Sequence, residues 1–207
     1  MKILLVRHGI TDWNKLGKFQ GRTDSDLSPE GYQQALNVAQ RLTALAAPLI
    51  IFSSPLKRAH LTALKIAQPH NLTPVILPEL IEINFGNWEG QSLKMLEAER
   101  PLDFKRWKSD PFFNPPDGAE TWHEITARLE HAINIIKSSG CERVIAVTHG
   151  GIIRAIFAIL LGLSPHAVWN IEVFNCSLSC IEINPHNEPS LLFSNDCCHL
   201  TKGVNLF

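Results

Sequence analysis

Three short runs of this chain carry apolar residues in succession rather than at every second position: residues 2–6, PLIIFS at 48–53 and RVIAVT at 143–148. A strand with one wet face alternates, so unbroken runs predict strands covered on both sides, the condition of a parallel sheet. The segments between them have helical period. From Ser28 to Ala46 the apolar positions Tyr32, Ala35, Leu36, Ala39, Leu42 and Leu45 follow three-and-four spacing, with Ser28 as N-cap and Pro29 in the first helical position. A second helix is expected in SPLKRAHLTALKIA, capped by Ser54, and a third from about Glu120 to Lys137, with Trp122, Ile125, Leu129, Ala132, Ile133 and Ile136 on one side. Buried strands alternating with amphipathic helices predict an α/β fold: a three-layer αβα sandwich with a mostly parallel central sheet and helices on both faces.

At 207 residues the chain is expected to form a single domain, residues 1–207. One stretch, about 85–118, breaks the alternation; rich in Trp, Phe, Pro and charge, it reads as a helical insert placed to close over a site. Its aromatic residues Trp88, Phe104, Trp107, Phe112 and Phe113 are expected to pack beneath the insert, with a substrate-shaping role as the alternative.

Nineteen basic against twenty acidic residues give a net charge of −1, which argues against a nucleic-acid partner. Five cysteines, an odd number without zinc-knuckle spacing, fit a reducing cytosol. Vicinal Cys197 and Cys198 are expected to be ordinary thiols. The apolar opening is too short for a signal peptide, and IIRAIFAILLGL contains Arg154 and is shorter than a membrane span. A cytoplasmic protein without membrane contact is expected. The apolar AIFAILLGL and the last strands are candidates for a homodimer surface.

In open parallel sheets ligands bind beyond the carboxyl ends of the strands. Arg7, His8 and Gly9 follow the first run, Arg58 the second and Glu82 the segment PVILPEL; His149, Gly150 and Gly151 follow VIAVT. Arg58 and Lys57 fall in the first turn of a helix, where the macrodipole disfavours cations, so a bound anion would remove that conflict. The glycines after both histidines offer close backbone approach. A phosphoryl group is the predicted ligand.

Phosphate monoesters resist attack because their own charge repels nucleophiles; a catalyst must neutralise the equatorial oxygens and present a nucleophile in line. Arg7 and Arg58 offer donor forks, and a neutral His8 can attack to form a phosphohistidine. Glu82 is the expected proton donor, with Glu89 and Glu79 as alternatives and Glu89 better suited to bracing its loop. His149 would stabilise the transferring group. The scheme requires no metal and no cofactor. The remaining histidines, including His60, His123 and His199, are expected to be structural, with His199 carrying somewhat more weight.

At these residues the chain resembles the histidine phosphatase superfamily, also called the phosphoglycerate mutase-like family. The match runs through VRHGITDWN at 6–14, FQGRTDSDLSPEG at 19–31, SSPLKRAHLTA at 53–63, LIEINFGNWEG at 80–90, VTHGG at 147–151 and NCSLSCIEI at 175–183. The resemblance implies that His8 is phosphorylated, that Arg7, Arg58 and His149 form the phosphate pocket, and that Glu82 donates the proton. By position it carries over Asn14, Gln20, Gly21 and the amide of Gly150 as phosphate or substrate contacts. Glu82 is followed by INFGNWEGQSLKML instead of the longer Tyr, Lys and paired-Arg clamp of mutases, and Gln20 stands where mutases commonly have a small hydroxyl residue. These features imply a phosphomonoesterase acting on a small-molecule phosphate ester. The alternatives are a cofactor-dependent phosphoglycerate mutase and a non-catalytic phospho-ligand binding module. The sequence leaves open sugar phosphates, phosphoserine, phosphoglycerate derivatives and α-ribazole phosphate as substrates.

Overall fold

The computed structural model describes residues 1–45 and 49–200. In chain order the elements are β1 (Lys2–Arg7), α1 (Asp12–Lys15), α2 (Pro29–Leu42), β2 (Leu49–Ser53), α3 (Lys57–Ala67), β3 (Val75–Ile76), α4 (Leu93–Glu99), α5 (Pro101–Ser109), α6 (Trp122–Ser138), β4 (Arg143–Thr148), α7 (Gly150–Leu161), β5 (Leu178–Ile183) and β6 (Pro189–Asp196). They form an α/β fold around one six-stranded sheet of order β3-β2-β4-β1-β5-β6. The first four strands in that order are parallel, while β5 and β6 close the far edge antiparallel.

Successive side chains of a strand point to opposite faces, and in β1 both faces are covered. Ile3 and Leu5 join the core formed with α6 and α7, whereas Leu4 and Val6 join the one formed with α2 and α3. The three layers anticipated from unbroken apolar runs are therefore present.

Several local expectations change. Helix α2 starts as expected, with Ser28 Oγ accepting the Gly31 N–H, but ends at Leu42. The expected end at Ala46 and the Pro48 that opens the second run lie outside the described residues. Its buried face is Ala35, Val38, Ala39 and Leu42, while Tyr32 and Leu36 are exposed. Ser54 does not cap α3, which begins only at Lys57 with Leu56 in the capping position. The Lys57 N–H is instead met by Asp24 Oδ1 at 2.8 Å, so a carboxylate of the protein already faces that helix end. The expected strand PVILPEL shrinks to Val75 and Ile76, because Pro78 opens a 3-10 turn over Pro78–Leu80.

The insert folds as α4 and α5 over a small core of its own, made of Phe19, Trp88, Leu96 and Phe104 with Phe85 and Trp107 against it. Phe112 belongs instead to the main core, packed 4.5 Å from the Trp122 ring, and Phe113 is exposed. Among the described residues no helix is long and apolar enough to cross a membrane.

Candidate active site

The parallel register pairs Arg7 with Thr148, so the residues that follow each strand, His8 and His149, leave the sheet side by side. Their rings are 5.2 Å apart between centroids. A cleft of about 160 Å³ opens beyond these strand ends. Arg7, His8, Arg58, Glu82, Asn14, Gln20, Gly21 and Gly150 all line it. His149 does not; it is fully buried behind His8.

The His8 tautomer follows from its surroundings. Its Nδ1 lies 2.7 Å from the carbonyl oxygen of Gly9, which can only accept, so Nδ1 carries the proton and Nε2 keeps its lone pair. Burial, reinforced by the nearby charges of Arg58 and Arg7, holds the imidazole pKa well below its usual value and keeps the ring neutral. The His8 main chain is pinned as well: its N–H donates to Thr148 O, and its carbonyl accepts from Asn175 Nδ2 at 3.0 Å.

The two arginines share a design. Arg7 Nη1 donates to Val173 O at 2.7 Å, and Arg58 donates to Thr23 O and Gly21 O at 2.8 and 2.7 Å. In each guanidinium the Nε is buried without a partner. Orphaned buried donors are expensive unless a ligand meets them. Burial lowers the Arg7 pKa to about 10, which leaves it charged at neutral pH.

Asn14 and Gln20 also face the cleft with their orientation fixed. Asn14 Oδ1 accepts from the Thr11 N–H and from Asn175 Nδ2, while Gln20 Oε1 accepts from Ser25 Oγ, and the one Thr11 hydroxyl proton lies within reach of either oxygen. With both oxygens committed, the amide NH₂ groups remain as donors at the cleft. Gly150 opens the twelve-residue helix α7, whose unpaired N–H groups and dipole also favour an anion.

Glu82 stands at the rim with Oε1 accepting the Ile83 N–H at 3.0 Å. Burial raises its pKa against the opposing pull of that N–H and of Arg58 and Arg7, which favours the protonated acid. Gly151 is required beside it: a Cβ there would stand 2.7 Å from Glu82 Oε1 and 2.6 Å from Ile83 Cδ1. Glu89 is not in the cleft. It accepts from the N–H groups of Arg22, Thr23 and Phe85 and from the Thr23 hydroxyl, bracing the loop whose carbonyls hold Arg58. Glu79 bonds His131 on the surface.

Gly9 has a different reason from the expected one. A Cβ on it would lie 2.4 Å from the Gly31 carbonyl oxygen, so it serves the packing of the loop on α2 and not approach to a ligand. His199 is also elsewhere, with Nε2 2.8 Å from Cys176 O. All five cysteines are free, and burial pushes the Cys197 thiol up to about 11.

Sequence reasoning missed Ser54, whose Oγ is 2.7 Å from His149 Nε2, and the cleft residues Arg154, Lys18 and Trp169. Arg154 had left one signal, a lone charge in an otherwise apolar helix one turn after Gly150. Among the described residues no three His, Cys, Asp or Glu side chains are grouped to hold a metal ion.

The family model described as histidine phosphatase superfamily (branch 1) matches residues 3–196. The chain belongs to the histidine phosphatase superfamily. Within the superfamily it is similar to phosphoserine phosphatase 1 of Hydrogenobacter thermophilus, 34% identical over 97% of this chain and 94% of that one. It is also 33% identical to a Cronobacter sakazakii protein named Probable phosphoglycerate mutase GpmB, over 88% of this chain and 85% of that one. Among solved structures, a mutant phosphoserine phosphatase from Entamoeba histolytica in complex with phosphoserine superposes with a TM-score of 0.84 at 32% identity, covering 96% of this chain and 98% of that one.

Proposed function

We propose that this chain is a metal-independent phosphomonoesterase that hydrolyses a small phosphorylated metabolite through a phosphohistidine at His8. The observation that carries the reading is the His8 Nδ1–Gly9 carbonyl bond, which leaves Nε2 as a fixed, neutral nucleophile between two arginines.

In this mechanism the phosphoryl oxygens take up the orphaned Nε donors of Arg7 and Arg58, the amides of Asn14 and Gln20, and the Gly150 N–H. His8 Nε2 forms the bond to phosphorus as the ester oxygen leaves, and Glu82 gives that oxygen its proton. Glu82, now a carboxylate, takes a proton from the water that displaces His8 and releases phosphate. His149, with an unpartnered buried Nδ1 beside the nucleophile, stabilises the charge in transit.

Rapid quenching during turnover of a radiolabelled monoester tests the reading. An acid-labile, base-stable phosphoenzyme is expected in the wild type and absent in His8→Ala. Equal turnover by the two proteins would remove the nucleophile assignment. The relative named as a mutase favours one other reading, phosphoglycerate interconversion; interconversion primed with bisphosphoglycerate and outrunning hydrolysis would establish it. The free cysteines support a reducing compartment, and the exposed Leu191, Leu192 and Phe193 of the edge strand β6 support a homodimer.

A further inference from the structure

Glu82 has no strand beneath it. β3 ends at Ile76, and the chain reaches the acid through the 3-10 turn Pro78–Leu80, so the main-chain groups from Glu79 onward have no ladder to pair in. They are paired all the same. Arg128 Nη1 donates to the carbonyls of Glu79 and Ile81, the latter at 2.9 Å, and Thr148 Oγ1 donates to Leu80 O at 2.7 Å. Arg22 Nε reaches Glu82 O at 3.5 Å. Four successive carbonyls are thus held by side chains from outside the loop. At Asn84 the N–H donates to Glu120 Oε2 at 3.4 Å, and the carbonyl accepts the Glu120 N–H at 2.9 Å.

The Glu120 carboxylate holds both of these arginines. Its Oε1 accepts from Arg128 Nε at 2.6 Å and from Arg22 Nη2 at 3.1 Å, and its Oε2 accepts from Arg128 Nη2 at 2.8 Å. The Arg128–Glu120 pair is a bidentate fork between side chains only 15% and 7% exposed, which fixes the plane of the guanidinium. Nε and Nη2 are committed to Glu120, and Nη1 is aimed at the loop. The Glu82 side chain has no such clamp. Its carboxylate meets two main-chain N–H groups, of Ile83 at 3.0 Å and Gly151 at 3.5 Å, so the path of the backbone decides where the acid stands. Arg22 links that path to the phosphate pocket, since it follows Gly21, whose carbonyl holds Arg58.

We infer that Glu120 and Arg128 are positioning residues for the acid: their fork fixes Arg128 Nη1 against the Glu79 and Ile81 carbonyls, and that contact sets Glu82 within reach of the leaving oxygen. Arg22 ties the same carboxylate to the loop that holds Arg58, so acid and phosphate pocket keep one spacing. The inference rests on the phosphomonoesterase reading with Glu82 as its acid, and it adds residues that line neither the cleft nor the reacting atoms.

The test is a double-mutant cycle read with two substrates, an alkyl phosphate that needs its leaving oxygen protonated and p-nitrophenyl phosphate, which does not. Arg128→Met is expected to lower kcat for the alkyl ester by roughly ten- to a hundredfold, the effect of displacing a reacting group by about 1 Å, and to change the aryl ester far less. Arg128→Lys, which keeps the charge and one donor without the fork, should recover part of the loss. In a Glu82→Gln background Arg128→Met should cost the alkyl ester nothing further, because both changes remove the same proton transfer. Arg22→Met, at a side chain 39% exposed, should show a smaller loss with the same substrate bias, and it carries the test if Arg128→Met does not fold. Equal losses on the two substrates, or losses that add to that of Glu82→Gln, overturn the positioning role and leave a purely structural cross-link. If Glu82→Gln itself slows both esters alike, the acid assignment beneath the inference falls. If Glu82→Gln discriminates between them and the Arg128 and Arg22 variants do not, this inference alone falls.

Discussion

The hydroxyl of Ser54 lies 2.7 Å from Nε2 of His149, and the same oxygen accepts the Leu56 N–H at 3.3 Å. The other ring nitrogen, Nδ1, is buried without a partner beside His8. The hydroxyl, with one lone pair taken, can give its proton to Nε2 or accept one from it, and in either case it holds the ring in place. Ser54→Ala is expected to lower kcat by roughly tenfold or more, because the ring loses that anchor and a buried nitrogen loses its partner. Steady-state kinetics with Ser54→Thr, which keeps the hydroxyl, should show substantial recovery.

Glu82 as the acid predicts dependence on the leaving group. Glu82→Gln should slow alkyl phosphates by about 10² to 10⁴ and p-nitrophenyl phosphate far less, since a phenolate leaves without a proton. A uniform loss across a leaving-group series would argue for a purely structural Glu82.

The pH profile follows from the same groups. In the proposed mechanism activity requires protonated Glu82, so it falls as pH rises through a pKa that lies above the ordinary carboxylate value. It also requires neutral His8, so the acid limb lies well below pH 6.5. The kcat/KM profile, which reports the free enzyme, should be bell-shaped with its alkaline limb above the ordinary carboxylate range, and Glu82→Gln should remove that limb.

Stability has its own pH dependence. His8 and His149 are buried neutral with pKa values held below the unfolded value of 6.5, so below that pH the unfolded chain binds protons that the folded chain does not. Folding stability should decline as pH drops from 6.5, by up to roughly 1.4 kcal/mol per pH unit per histidine. Glu82, with its raised pKa, acts in the opposite direction. Urea melts at pH 7, 6 and 5 should show a shallower decline in a His8→Asn, His149→Asn double variant.

Gly9→Ala separates packing from chemistry. The new Cβ, 2.4 Å from Gly31 O, should lower stability by about 1–3 kcal/mol, read by chemical denaturation.

The strands, the layers and the convergence of Arg7, His8, Arg58 and Glu82 are legible in the sequence because each rests on a local pattern: an apolar run and the residues that end it. Ser54 is not, because a serine before a proline looks like an N-cap; its true partner lies 95 residues on, and no local period records such a bond. Gly9 misleads for a similar reason, since the backbone it packs against belongs to another helix. Asp24, which faces the start of α3, sits in a loop whose path depends on Arg58 and Glu89, and sequence spacing does not encode that path.

The sheet order carries a consequence for biosynthesis. β1, the first strand made, is a central strand whose neighbours are β4 and β5, and the carbonyl of His8 is held by a residue 167 positions later. A chain growing from its N-terminus therefore exposes the proposed nucleophile, His8, before its site is assembled, beside a strand with neither neighbour yet synthesised. The site is assembled only when the distant C-terminal segments pair, so an incomplete product of translation carries His8 without the partners that hold it in place.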